Sequence, residues 1–270
     1  MIMVRAATLR HVTGGVAAVG SLGCATAWLT ASLVRPGHDA WRSDLSALAA
    51  LDAPRPWITI TGELLLAGGW LALATGLIVT FSGRDTTVAA GLLSVAGLGT
   101  VIQALAREDC DTALPACLAQ QNAGLVSWHH NLHGFSAALA ILASVTAPIA
   151  LIRPFRGHPR WRGLATYSAA SAGGGFVLLI GYALAPDAWT GLAQRVFLAA
   201  PLMWTAVVGV RPAAFRRGPV SVHSPRSVPS ASEGAGPARG CRHDHRADLT
   251  RTLPFVPAPN VEDSHDVRRR

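Results

Sequence analysis

Three short polar runs carry most of the residues able to do chemistry. They are Arg107-Glu108-Asp109-Cys110-Asp111, Trp128-His129-His130-Asn131-Leu132-His133 and Gly191-Leu192-Ala193-Gln194-Arg195. His130 and His133 stand three positions apart, so on a helix they share a face. Paired imidazoles with a carboxylate such as Asp111 make a plausible Zn²⁺ ligand set, with His130, His133 and Asp111 as the candidate metal ligands. An imidazole beside a carboxylate can also serve as a general base. The candidate catalytic groups are therefore His133, Asp111, Asp44, Glu63 and Arg195, the last able to hold an anion. A structural reading competes with this one. Arg195 pairs with Asp109 or Asp111, and His133 hydrogen-bonds across helices and locks them together. No HExxH or other dense ligand motif decides between the two. A further run, Cys241-Arg242-His243-Asp244-His245, offers too few ligands to specify a metal.

The elements that must hold these groups are membrane spans. Half of the 270 residues are hydrophobic and 14% are charged, whereas a soluble domain carries about 25% charge. Six segments reach the roughly 20 apolar residues needed to cross a bilayer. They run over 12–34, 58–81, 87–106, 131–152, 164–185 and 191–210. The backbone must satisfy its own hydrogen bonds in lipid, so each reads as a helix. Dense small residues, such as Gly68-Gly69 and Gly173-Gly174-Gly175, favour close helix packing there. The fold expected is all-α: a six-helix transmembrane domain over 1–211, followed at 212–270 by a disordered tail rich in Arg, Pro and Ser. The first apolar stretch is too long for the core of a cleaved signal peptide, so it reads as an uncleaved span.

All 23 basic residues are Arg and none is Lys; with the abundant Ala and Gly this is the coding bias of a GC-rich bacterial genome. The net charge of +8 sits in loops and in the tail, with no nucleic-acid-binding module to use it. Arg in short loops instead sets orientation. With the N-terminus inside, eight Arg fall on the cytoplasmic side and five opposite, and the dense Arg153–Arg162 run decides the direction. The expectation is a bacterial inner-membrane protein with both termini cytoplasmic. Its partners are the lipid bilayer and, on the cytoplasmic side, anionic headgroups. Nothing in the sequence fixes an oligomeric state.

The outward side then holds the remaining polar groups. In the first outer loop Trp41, Leu45 and Leu48 recur at helical spacing, which predicts a short interfacial helix. Glu63 lies about one and a half turns inside the second span. It either faces a partner or wet cavity or reaches back to the interface. Cys110 and Cys117, seven apart in an outer loop, are candidates for a disulfide. Cys24, inside the first span, reads as a small core residue.

These pieces together resemble the bacterial DUF998 family of uncharacterised membrane proteins. The resemblance rests on Arg35-Pro-Gly-His-Asp39 with Ser43-Asp44-Leu-Ser46 in the first loop, His130-Asn-Leu-His133-Gly, Arg160-Trp-Arg-Gly-Leu, and Gly191-Leu-Ala-Gln-Arg195 with Trp204. It implies a six-helix fold over 12–211 and places Asp44, Asp111, His133 and Arg195 at the family's recurring polar positions. It implies no activity. The loop after the third span departs from the family's short Phe-Pro-x-Asp turn by its length and its Cys pair, which leaves Asp109 and Asp111 as alternatives. Three functions follow in order: a structural or sensory membrane protein; a membrane-embedded hydrolase of a lipid or lipid-linked substrate, with or without Zn²⁺; and a small proton-linked transporter using Glu63 and His133.

Overall fold

The computed structural model describes residues 2–214 in backbone and 8–211 in side chain; the expected tail, with its Cys241 run, falls outside the described residues. The described chain is helical, with no strand. Its helices are α1 (Ile2–Val34), α2 (Pro56–Thr80), α3 (Arg84–Leu105), α4 (Pro115–Asn122), α5 (Trp128–Gly157), α6 (Arg162–Ala183) and α7 (Thr190–Ala214). All but the short α4 are long and apolar enough to cross a membrane. The six spans expected from hydropathy are thus all present. α1 and α5 run past the expected limits because polar residues at the membrane surface can continue a hydrogen-bond ladder that apolar counting stops at.

Local chemistry sets the helix ends. Pro56 and Pro115 occupy the first turns of α2 and α4, where a missing N–H costs nothing. Ser127 caps α5, its Oγ accepting from the His130 backbone N–H. Gly83 takes φ 111° in the tight reversal from α2 to α3, a conformation strained for any other residue.

Each span packs on the next in sequence, and α7 returns against α1, so the six close into a ring. Small residues allow the closest approaches. Gly14 of α1 and Gly209 of α7 meet back to back, and a Cβ on either would strike the other's carbonyl oxygen. Indole hydrogen bonds tie the ring internally: Trp70 Nε1 donates to Thr205 Oγ1 (3.0 Å) and Trp204 Nε1 to Ser168 Oγ (3.0 Å). The end of the bundle that carries both helical termini, the near end, is closed by an aromatic cluster. Phe81 meets Phe155, His158 and Trp161 edge-on at 5.6, 4.8 and 5.2 Å.

The opposite, far end is built from the loops 35–55, 106–127 and 184–189. The short helix expected in the first of these is a single 3-10 turn, Ser46–Ala49. Leu45 and Leu48 are buried, while Trp41 lies outside and meets Trp189 edge-on at 5.2 Å. The loop winds no further because side chains from elsewhere take its backbone groups. Arg35 donates to the Ala47 carbonyl, and Arg107 donates to those of Ala49 (2.7 Å) and Ala50 (2.6 Å). Arg195 donates to the carbonyls of Ala40 (3.0 Å) and Ser43 (2.9 Å), and Gln194 accepts the Leu45 N–H (2.6 Å). Irregular backbone at membrane depth survives only when its polar groups are satisfied in this way.

Candidate functional site

The ring encloses a cavity of about 280 Å³, and every span contributes to its wall: Trp28, Glu63, Gln103, His133, Tyr182 and Gln194 from α1, α2, α3, α5, α6 and α7. Asp44 and Glu108 reach it from the far-end loops. A second chamber of about 700 Å³ lies at the far end, lined by Arg42, Leu118, Gln121, His130 and Asp187 among others. Asp44, Glu108 and Gly134 border both spaces, so the chamber is a vestibule and two carboxyl groups stand where it meets the cavity.

Three carboxyl groups and no Arg line the inner cavity, so any charge its lining takes on ionisation is negative. Each has one buried oxygen without a hydrogen-bond partner: Asp44 Oδ1, Glu63 Oε2 and Glu108 Oε2. Buried polar atoms are normally satisfied, so three unpaired ones around one space make this cavity the candidate site. Their other oxygens are held. Tyr182 OH donates to Asp44 Oδ2 (3.2 Å), and Gln194 Nε2 lies 3.5 Å from the same hydroxyl. Gln103 and Ser46 hydrogen-bond to Glu63 and Glu108. Burial pushes the Glu108 carboxyl up to about 7, with Asp44 and Asp111 adding to the rise and Ser46 and His130 opposing it. Burial raises Asp44 as well; the Tyr182 hydrogen bond and Arg195 oppose the shift and Asp111 reinforces it.

His133 is 3% exposed on the cavity wall. Its Nδ1 faces two carbonyl oxygens, those of Gln103 (2.9 Å) and Ala106 (3.1 Å). Two acceptors require a proton on Nδ1, which leaves Nε2 directed at Glu108 Oε1, 3.7 Å away. The imidazole is therefore held in one tautomer with its basic nitrogen beside a carboxyl group.

The expected site residues divide. Asp44, Glu63 and His133 share the cavity; Asp111, His130 and Arg195 do not line it. Arg195 binds carbonyls of the first loop, and neither Asp109 nor Asp111 is within ion-pair distance of it. Asp109 instead accepts from the Ser127 N–H (2.6 Å) and Oγ (2.8 Å), fixing the start of α5. Burial raises its carboxyl, but those two bonds and the neighbouring His129 and His130 outweigh it and hold the group below the ordinary range. Asp111 Oδ1 accepts from the Ala113 N–H (3.0 Å), and His130 Nδ1 accepts from the Asp109 N–H (3.1 Å). Each of the three proposed metal ligands thus has its own local partner. Among the described residues no three His, Cys, Asp or Glu side chains are grouped to hold a metal ion. Cys110 and Cys117 form a disulfide, Cα atoms 5.8 Å apart, fastening α4 beside the vestibule; Cys24 is buried.

Sequence reasoning passed over Tyr182 and Gln103, and it placed Glu108 and Gln194 in polar runs without choosing either as a candidate. Tyr182 is one of only two Tyr in the chain and stands in the last turn of an otherwise apolar span, which was a usable signal. Neither curated proteins nor solved structures give a match to this chain. A family model described as protein of unknown function (DUF998) matches residues 18–211, from the first span through the last. The matched stretch contains every residue of the cavity just described, and the chain belongs to the DUF998 family.

Proposed function

We propose that this membrane protein is a sensory ligand-binding component whose far end faces the outside of the cell and whose cavity takes a small organic cation, an amine or quaternary ammonium. The observation that carries this is the set of three inward carboxyl groups, each with an unpartnered buried oxygen, in a cavity without a basic Arg. A cation entering through the vestibule pairs with oxygens that the protein leaves open and favours the ionised form of Asp44 and Glu108, which burial otherwise opposes. Trp28, Trp70 and Tyr182 supply aromatic surface of the kind that favours cations. The Trp70–Thr205 hydrogen bond, about two turns deeper on α2 than Glu63, supports a blind cavity over a path through the bundle, and so binding over transport.

The test is thermal unfolding of the full chain in lipid nanodiscs with tetramethylammonium and ethanolamine, each against neutral tert-butanol. At a hundredfold excess over Kd a bound cation stabilises by about 2.7 kcal/mol. Glu63→Gln should abolish that gain and leave the unliganded fold intact. An equal shift with tert-butanol, or an unchanged response in the variant, removes the cation reading.

A second reading, hydrolysis of a lipid-linked substrate, draws on the His133 Nε2–Glu108 Oε1 approach, which is the geometry of a general base beside a carboxylate. In that case His133→Gln eliminates turnover of an ester probe presented from the far-end leaflet but keeps amine binding.

A further inference from the structure

We infer that the outer groove between α1 and α7 binds one acyl chain of an anionic phospholipid, with the lipid phosphate held against Arg195. The groove adjoins the cavity through Trp28 and Leu45, which line both, but it opens on the outer face of the bundle and carries none of the cavity's three carboxyl groups.

The two helices touch at Gly14 and Gly209 near one end. Beyond that contact a groove of about 530 Å³ opens between them. It is lined by Leu22, Ala25, Leu29 and Leu33 of α1 with Ala199, Leu202 and Met203 of α7, and the buried Ser21 and Leu202 lie deepest. Leu22, Leu29, Leu33 and Met203 are 60% exposed or more, so the groove faces outward along the bundle. In a bilayer the material alongside is hydrocarbon. The run from Ser21 to Leu33 rises about 18 Å at about 1.5 Å per residue. That is somewhat more than half of a hydrocarbon core about 30 Å thick, which is the depth one leaflet's chain occupies.

The groove's far end selects the headgroup. Arg195 lines it there, next to Ser32 and Ala40. The guanidinium is half-buried, and everything it contacts is neutral. Nη1 donates to the carbonyls of Ala40, Ser43 and Gly191, and Nη2 lies 2.9 Å from His38 Nε2 and 3.5 Å from Ser32 Oγ. Burial, then Arg195 and Arg35, push the His38 imidazole below its usual range against the opposing Asp111 and Asp39. Asp39 and Asp44 act on Arg195 only from beyond ion-pair distance. The guanidinium at the mouth of this chain-length apolar slot has no anion within ion-pair distance, and a lipid phosphate there would supply one. A zwitterionic or neutral lipid fills the slot but leaves that charge uncompensated.

The experiment uses the full chain purified in detergent, stripped of lipid, then offered phosphatidylglycerol, phosphatidylcholine or free glycerol phosphate, with bound lipid counted by native mass spectrometry. Phosphatidylglycerol should be retained about fivefold more than phosphatidylcholine, the ratio expected of one Arg near a membrane surface. Ala199→Trp, which puts an indole into the groove, should abolish retention of either lipid while Glu63-dependent cation binding persists. Arg195→Gln should keep the chain but lose the preference; if that variant fails to fold because its loop contacts are gone, Ala199→Trp still decides. Equal retention of the two lipids makes the groove ordinary annular surface and overturns the proposal. So does unaltered retention in Ala199→Trp, or a thermal shift from glycerol phosphate as large as that from the lipid.

Discussion

Glu108 stands where the vestibule meets the cavity, and its titration should be readable in stability. Its carboxyl is pushed up to about 7 in the folded protein, against 4.5 for the free group. Below pH 4.5 both states hold the proton and the fold is not penalised. As pH rises toward 7 the unfolded state releases its proton first, and the folded protein loses stability relative to it. The loss is of the order of 3 kcal/mol, since one pKa unit is worth about 1.4 kcal/mol. Wild type should therefore unfold at lower temperature at pH 8 than at pH 5, and Glu108→Gln should flatten part of that slope; identical slopes exclude the buried-carboxyl account. Ionised Glu108 attracts a cation best, so amine affinity should rise across the same interval. Asp109, one residue on, has the opposite sign and a different task. Asp109→Asn should cost about 1–2 kcal/mol through the weakened cap at Ser127 and leave amine affinity alone. Both residues sit in one acidic run, and the sequence could not say which acid turns inward. That depends on where α3 stops and on the Ser127 N–H that claims Asp109. His133 and Glu63 were legible because an ionisable group within a span has few alternatives to a cavity or a partner.

At the scale of elements, the far-end loops are organised by Arg side chains acting on carbonyl oxygens. Arg35, Arg107 and Arg195 were counted in the sequence against the orientation bias. The structure gives them another reason to be there: each satisfies backbone of the first loop, which makes only one 3-10 turn of its own. A planar guanidinium with several fixed donors suits this better than an ammonium. Arg107→Ala strips the Ala49 and Ala50 carbonyls of charged donors and should cost about 1.5–3 kcal/mol per bond lost. Hydrogen exchange should report it as faster exchange over residues 40–52, with the spans protected as before; uniform acceleration across the bundle would place the effect elsewhere. Apart from the longer ends of α1 and α5, the spans themselves were legible to about a turn because hydropathy and length suffice in lipid. The loop was not, because Trp41, Leu45 and Leu48 share helical spacing, and only contacts more than a hundred residues distant, such as Gln194 to the Leu45 N–H, override it.

At the scale of the whole molecule, the closed ring has two unlike ends, and the function proposed depends on which one faces out. The near end packs Phe81, Phe155, His158 and Trp161 into a plug, flanked by the Arg153–Arg162 run. The far end holds the vestibule, the carboxyl groups and the Cys110–Cys117 disulfide. The loop Arg favour the proposed orientation with the near end inside, and a disulfide persists best outside a reducing cytoplasm. These two arguments are independent and agree. Ring closure itself rests on Gly14 against Gly209, so Gly14→Leu should part α1 from α7 and cost about 1–3 kcal/mol or more through overpacking. That variant leaves the Arg distribution untouched and so should not alter orientation. The decisive measurement joins the two ideas in one set of intact bacterial cells. A membrane-impermeant thiol reagent should label Cys110 and Cys117 only after a mild reductant is added, because their sulfurs are otherwise bonded to each other. A phosphatase fused after Arg270, active only outside the cytoplasm, should stay silent in wild type and in Gly14→Leu alike. Labelling that needs permeabilised cells, or an active phosphatase, would turn the molecule over and put the acidic cavity in contact with the cytoplasm, where an external cation could not be its ligand.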